Sequence, residues 1–194
     1  MTAREAEIIE LIRKEVKPAL GCTEPIAVAL AVAKAMETVE EKCGLSGPDW
    51  RMEGAYSLCI EVSGNILKNG MGVGIPGTGM VGLHIAAALG AVCGKSSYGL
   101  EVLNDLDEDS IAKAKEMVEA KDVTVGLAET DHKLYVKATV LCKDGHSACA
   151  VIEDDHDNIV ETWYDQAQLT SSHKCEGADA AAQKSTLDYK LTVK

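Results

Sequence analysis

The chain has no phenylalanine, and only two tryptophans and five tyrosines among its 194 residues. A core must therefore be built from aliphatic and small side chains, and the 46% apolar content is enough to do so in one domain of this length. Positive charge is scarce too: 19 Lys and Arg against 31 Asp and Glu leave a formal charge of −12. Phosphate recognition needs clustered basic side chains, so this balance argues against nucleic acid as a partner. No apolar run approaches the ~20 residues of a bilayer span, the longest being Ile26 to Ala33, and no membrane partner is expected. Met1-Thr-Ala-Arg-Glu-Ala-Glu has no apolar signal region, and the seven cysteines have no compact spacing. These absences lead to the expectation of a soluble protein in a reducing cytoplasm.

Glycine is not scarce, and it is concentrated. Eight of the seventeen glycines fall between Val62 and Gly90, with Asn65, Lys68, Asn69 and Thr78 among them. Glycine admits positive φ and lets other groups approach the backbone, so this stretch implies unusual turns or a ligand lying against main-chain N–H groups.

Along the chain, Ile8, Ile9, Leu11, Ile12 and Val16 form a stripe at helical spacing, which predicts an amphipathic helix lying on the domain and ended by Pro18. Thr23-Glu24-Pro25 reads as a helix start with Thr23 as N-cap, leading into a helix buried nearly all round. Cys22 then sits just outside a helix N-terminus. Cys43 to Arg51 reads as a connection, and Tyr56 to Val62 alternates as a strand feeding the glycine stretch. A helix over Met80 to Cys93, an amphipathic helix over Ser110 to Ala120, and strands at Val123 to Leu127, Leu134 to Cys142, Ser147 to Ile152 and Ile159 to Trp163 complete the pattern. Asp144-Gly145 predicts a two-residue hairpin that sets Lys143 opposite His146 and Cys142 opposite Ser147, so zinc between His146 and the cysteines Cys142 and Cys149 is not expected. From Gln166 the chain turns polar and irregular. The fold class is α+β, with helices packed on one side of a mostly antiparallel or mixed sheet.

Three chemical readings compete. Gly77-Thr-Gly79-Met-Val-Gly82 fits G-x-G-x-x-G and invites an NAD-binding oxidoreductase reading. Against it, Gly70 to Pro76 is too rich in glycine and proline for a central strand, and no repeated βα units follow. Cys22 at a helix start suits a metal ligand or nucleophile, although a lone cysteine is more often a small apolar residue. A non-catalytic small-molecule-binding domain is the third.

Pro18-Ala-Leu-Gly-Cys-Thr-Glu-Pro-Ile-Ala-Val-Ala-Leu-Ala31 and Ser63-Gly-Asn-Ile-Leu-Lys-Asn-Gly-Met-Gly-Val-Gly-Ile-Pro-Gly-Thr-Gly79 together resemble the L-cysteine desulfidase / L-serine dehydratase-like family, long catalogued as an uncharacterised conserved family. The resemblance implies a lyase of amino-acid catabolism that performs β-elimination on L-cysteine or L-serine, giving pyruvate, ammonia and sulfide or water. It implies a [4Fe-4S] cluster whose ligand set is incomplete in this chain, with Cys22 as the one metal ligand present. It further implies that residues 1–165 are an N-terminal domain and 166–194 a polar tail or linker towards an absent C-terminal helical domain, so that this fragment alone is inactive. Ser63, Asn65, Asn69, Gly77, Thr78 and Gly79 are the expected holders of a small amino-acid substrate. Lys68 is the expected catalytic base or charge partner, weighed against a solvated loop lysine. Oligomeric state is left open, a homo-oligomer included.

Overall fold

The computed structural model describes residues 3–45 and 49–171. Six helices and six strands follow in the order α1 (Ala3–Glu15), α2 (Thr23–Cys43), α3 (Asp49–Glu53), β1 (Tyr56–Val62), α4 (Gly64–Gly70), α5 (Leu83–Val92), α6 (Glu108–Glu119), β2 (Val123–Leu127), β3 (Tyr135–Cys142), β4 (Ser147–Glu153), β5 (Ile159–Tyr164) and β6 (Ala167–Ser171). A 3-10 turn at Ser96–Glu101 precedes α6.

The absence of phenylalanine shapes the centre. In α2 every residue from Pro25 to Ala33 is buried, so this helix has no solvent face at its start. It packs on the strands β3, β4 and β5 and against the equally buried α5, which itself reaches β1 and β2. Small side chains let the two helices approach until backbones nearly touch: a Cβ added at Gly90 would lie 2.4 Å from the carbonyl oxygen of Ala29 and 2.8 Å from its Cα. Arg51 on α3 fastens the far end. Its guanidinium takes both carboxylate oxygens of Glu40, at 2.6 and 2.7 Å, and donates to the Gly94 carbonyl at 2.9 Å beyond the end of α5.

The sheet has the order β2-β1-β3-β4-β5-β6, with β1 and β2 parallel and every other pair antiparallel, which is the expected mixed α+β arrangement. Alternation in β1 turns Tyr56, Leu58, Ile60 and Val62 onto the helices. The opposite face carries a separate small cluster of Cys149, Val151 and Val160, flanked by Tyr135 and Trp163.

Several local expectations are corrected. The amphipathic α1 does not lie on the domain with its stripe buried: Ile8, Ile9, Leu11, Ile12 and Val16 are all exposed. The α2 N-cap is Cys22 rather than Thr23, and it makes no side-chain capping bond. Counted from the Cys142–His146 pair, the β3–β4 loop has three residues, Lys143 to Gly145, not two. The Cys142 N–H donates to His146 O, Leu141 stands opposite Ser147, and Gly145 adopts φ +95. Cys142 packs towards the main core and Cys149 lies in the outer cluster, so the two cysteines are on opposite faces. Cys59, Cys93 and Cys142 are half-buried, and Cys149 is buried.

The segment after Gln166 is not irregular throughout. Asp165 and Gln166, at φ +45 and +70, form a tight turn into β6. Residues 172–194, with most of the expected polar tail, lie outside the described residues. Among the described residues, no helix is long and apolar enough to cross a membrane.

Candidate functional site

The glycine stretch is not one loop. Asn65 to Asn69 coil into the short α4, whose exposed face presents Asn65, Lys68 and Asn69. Only from Gly70 does the chain loop. It then doubles back on itself: Gly82 N–H donates to Val73 O at 2.9 Å, Ile75 N–H to Met80 O at 3.0 Å, and Gly74 bridges Val81. At the tip, Thr78 N–H donates to Ile75 O, with Pro76 second and Gly77 third at φ +81, which is the pattern of a type II turn. Gly79 and Gly82 follow at φ +68 and +97. A Cβ on Gly82 would meet Met71 O at 2.9 Å, so this glycine also serves a close approach.

This turn lies against the start of α2. A Cβ placed on Gly21 would be 3.6 Å from Pro76 Cδ, and Asn69 donates to Glu24 Oε1 at 3.3 Å. The structure thus brings Gly21, Cys22 and Glu24 together with α4 and the glycine turn. Cys22 is exposed and its side chain caps nothing, leaving the first backbone N–H groups of α2 without a side-chain acceptor among the described residues. Pro25 removes one donor from that turn but leaves the amides before it. Beside this junction a cavity of about 330 Å³ opens between Leu20–Gly21, Ile75–Pro76 and Leu103–Leu106.

The expected site residues divide into two groups. Asn65, Lys68 and Asn69 are exposed on α4, and Gly77 and Gly79 shape the turn. Ser63 and Thr78 are each 3% exposed, with their hydroxyls committed to the backbone. Ser63 Oγ donates to Lys133 O at 2.9 Å and accepts from Tyr135 N, while Thr78 Oγ1 donates to Ile75 O at 2.8 Å and accepts from Met80 N at 3.0 Å. Gly21, Pro76 and Glu24 were not anticipated as site residues; only the glycine before the α2 start, at φ +100, hinted that backbone would be presented there.

Two other arrangements are set aside on geometry. The G-x-G-x-x-G run does not leave a central strand, since Val73 to Ile75 make only an isolated bridge. Gly94-Lys95-Ser96 follows a helix rather than a strand; Lys95 is paired with Asp105, and Ser96 is held by Glu37 through both its N–H and its hydroxyl, so it is no phosphate loop. A cavity of about 660 Å³ adjoins these residues, and part of its polar lining is internally satisfied: Glu40 by Arg51, Asp107 by the Ser110 N–H it caps. The Cys93 thiol there is pushed up to about 11 by burial, away from the thiolate form.

No family model matches the chain, and no solved structure matches it. Curated relatives do. A UPF0597 protein of Phocaeicola vulgatus is 49% identical over 156 residues, 79% of this chain and 33% of the relative. One of Parabacteroides distasonis is 48% identical over 160 residues, 82% of this chain and 34% of the relative. One of Bacteroides thetaiotaomicron is 43% identical over 194 residues, 96% of this chain and 42% of the relative. The chain thus spans between 33% and 42% of the length of these relatives.

These similarities correct the reading by resemblance. The relatives carry the UPF0597 name, which supports neither a desulfidase or dehydratase lyase nor an iron–sulfur half-protein. The side chains agree, because the described residues include no group of three or more His, Cys, Asp or Glu able to hold a metal ion. Cys22 is one exposed thiol without a second ligand among the described residues, and that set does not by itself hold a [4Fe-4S] cluster.

Proposed function

We propose that this domain is the ligand-holding part of an enzyme acting on a small carboxylate-bearing molecule of amino-acid size, bound where the start of α2 meets the glycine turn. The observation that carries the reading is the contact of Gly21 with Pro76 beside an uncapped helix start. A 21-residue helix presents positive partial charge and free N–H groups at its N-terminus, and a carboxylate satisfies both. Lys68 supplies a full positive charge on the neighbouring helix in a chain of formal charge −12, and the Cys22 thiol stands beside the bound carboxylate.

Further polypeptide of the kind the longer relatives carry would close the site in this reading. Leu20, Met71 and Val81 on the segments around the junction are exposed, as is the apolar stripe of α1, and these are surfaces that further polypeptide would cover. The six described cysteines are free, which supports a reducing compartment.

The test is an amide NMR titration with L-alanine and acetate, using acetamide as the uncharged control. Shifts confined to Cys22 to Glu24 and Gly74 to Gly82, weakened in Lys68→Ala, are the expected result. Equal shifts with acetamide, or shifts elsewhere in the fold, would remove the basis for a carboxylate site.

A further inference from the structure

The parallel strand β2 forms one edge of the sheet. Two bonds fix the phase of its ladder: Leu58 N–H donates to Asp122 O, and Ala128 N–H donates to Val62 O. With the register Leu58↔Val123, Ile60↔Val125 and Val62↔Leu127, the N–H and C=O groups of Thr124 and Gly126 face β1. Those of Val123, Val125 and Leu127 therefore point away from the sheet, and they make no backbone bond among the described residues.

Sheet edges are ordinarily protected by charge, proline, a bulge or a covering element. Val123-Thr-Val-Gly-Leu127 has no charged residue and no proline, and its pairing with β1 runs without a register shift. Its last side chain, Leu127, is 64% exposed. In a chain of formal charge −12, an uncharged edge is a surface where two copies can meet without like charges opposed.

We infer that β2 pairs antiparallel with β2 of a second copy of this chain across a two-fold axis at Val125, joining two six-stranded sheets into one. The outward groups are self-complementary in this register. Val125 faces Val125 of the other copy, and Val123 faces Leu127, so three donors and three acceptors on each copy are satisfied together and Leu127 gains an apolar neighbour. The same two-fold brings the strand ends together twice, with exposed Lys121, at φ +62 in the turn that leads from α6 into β2, near the end where exposed Glu129 of the other copy follows Leu127. A passing peptide would supply the hydrogen bonds but not this reciprocal charge pairing, and so the occupant is a second copy.

Sedimentation equilibrium of the purified chain tests the pairing, with the expected mass twice that of one chain. Val125→Pro removes an outward donor without touching a bond to β1, and is expected to give a monomer with unchanged circular dichroism. Should proline disturb folding, the charges decide. Lys121→Glu is expected to weaken self-association roughly tenfold, and Lys121→Glu with Glu129→Lys to restore it. A monomeric wild type, or a dimer indifferent to all three variants, would overturn the inference.

Discussion

The glycine of α5 and those of the turn before it lie within one stretch of sequence yet answer to different demands. Gly90 has helical backbone that any residue could adopt; what it lacks is room, because Ala29 of α2 occupies the place of its Cβ. Gly79 is the converse, with nothing within 4 Å of an added Cβ but φ at +68. Gly82 answers to both demands. A glycine-rich sequence is thus not by itself a ligand loop: here part of it lets helices touch and part of it turns the chain.

Alanine substitutions separate the two uses. Gly90→Ala drives a methyl group into helix backbone that cannot move alone, and should cost about 3 kcal/mol or more. Gly82→Ala combines a strained φ with a 2.9 Å approach to Met71 O and should cost about 2–3 kcal/mol. Gly77→Ala and Gly79→Ala, with strain but adequate space, should cost about 1–2 kcal/mol. Urea denaturation of the four variants checks the order. If Gly90→Ala proved no worse than Gly79→Ala, the close approach of α2 and α5 would be wrong.

Positive φ without glycine occurs at the β5–β6 turn, where side chains do what glycine does elsewhere. Asp165 accepts from Ser147 N–H at 2.8 Å, and its other oxygen meets His146 Nδ1 at 2.7 Å, with the imidazole stacked on Tyr164. The hydrogen bond to Asp165 raises the His146 pKa above the ordinary 6.5, and the same bond lowers that of Asp165 below 3.8. The histidine contribution is complete below its ordinary pKa and is lost as pH rises through the raised folded value. The Asp165 contribution is present above its ordinary pKa and is lost as pH falls through the depressed value. The clamp is therefore strongest between the ordinary carboxylate pKa and the ordinary histidine pKa, and it fades as pH rises on through the raised histidine value. NMR titration should find His146 above 6.5 in the wild type and close to it in Asp165→Asn, and amides of β6 should exchange faster above the histidine midpoint.

The strands were legible because alternation is a local signal: β1 and β2 occupy the predicted residues. What escaped the sequence depended on partners. α4 is seven residues long and bounded by glycine, so flanking composition concealed it. The turn into β6 has Asp-Gln where glycine or asparagine would have marked it, and its stability comes from His146, nineteen residues away. The stripe of α1 is legible as apolar but not as uncovered, since periodicity reports a face but not what lies on it. At the site, the motifs that carry Cys22 and the glycine turn were legible separately. The fate of the Ser63 and Thr78 hydroxyls was not, because each bonds backbone whose position only the fold supplies.

The smallest expected effect sharpens the comparison most. Gly74 adopts no positive φ, and an added Cβ would meet nothing within 4 Å, so neither use of glycine applies to it. Gly74→Ala should leave stability unchanged or raise it by about 0.5 kcal/mol, because alanine narrows the unfolded ensemble without straining the fold. Yet Gly74 pairs with Val81 in the doubled-back turn that Pro76 sets against the start of α2. If the space beside it serves a bound carboxylate, alanine should weaken that binding while denaturation shows no loss. Measuring acetate shifts at Cys22 to Glu24 alongside urea midpoints for this one variant therefore separates a glycine kept open for a ligand from one needed by the fold. Unchanged shifts would place the ligand away from Gly74, whereas a lowered midpoint would show strain in the turn that its backbone angles do not reveal.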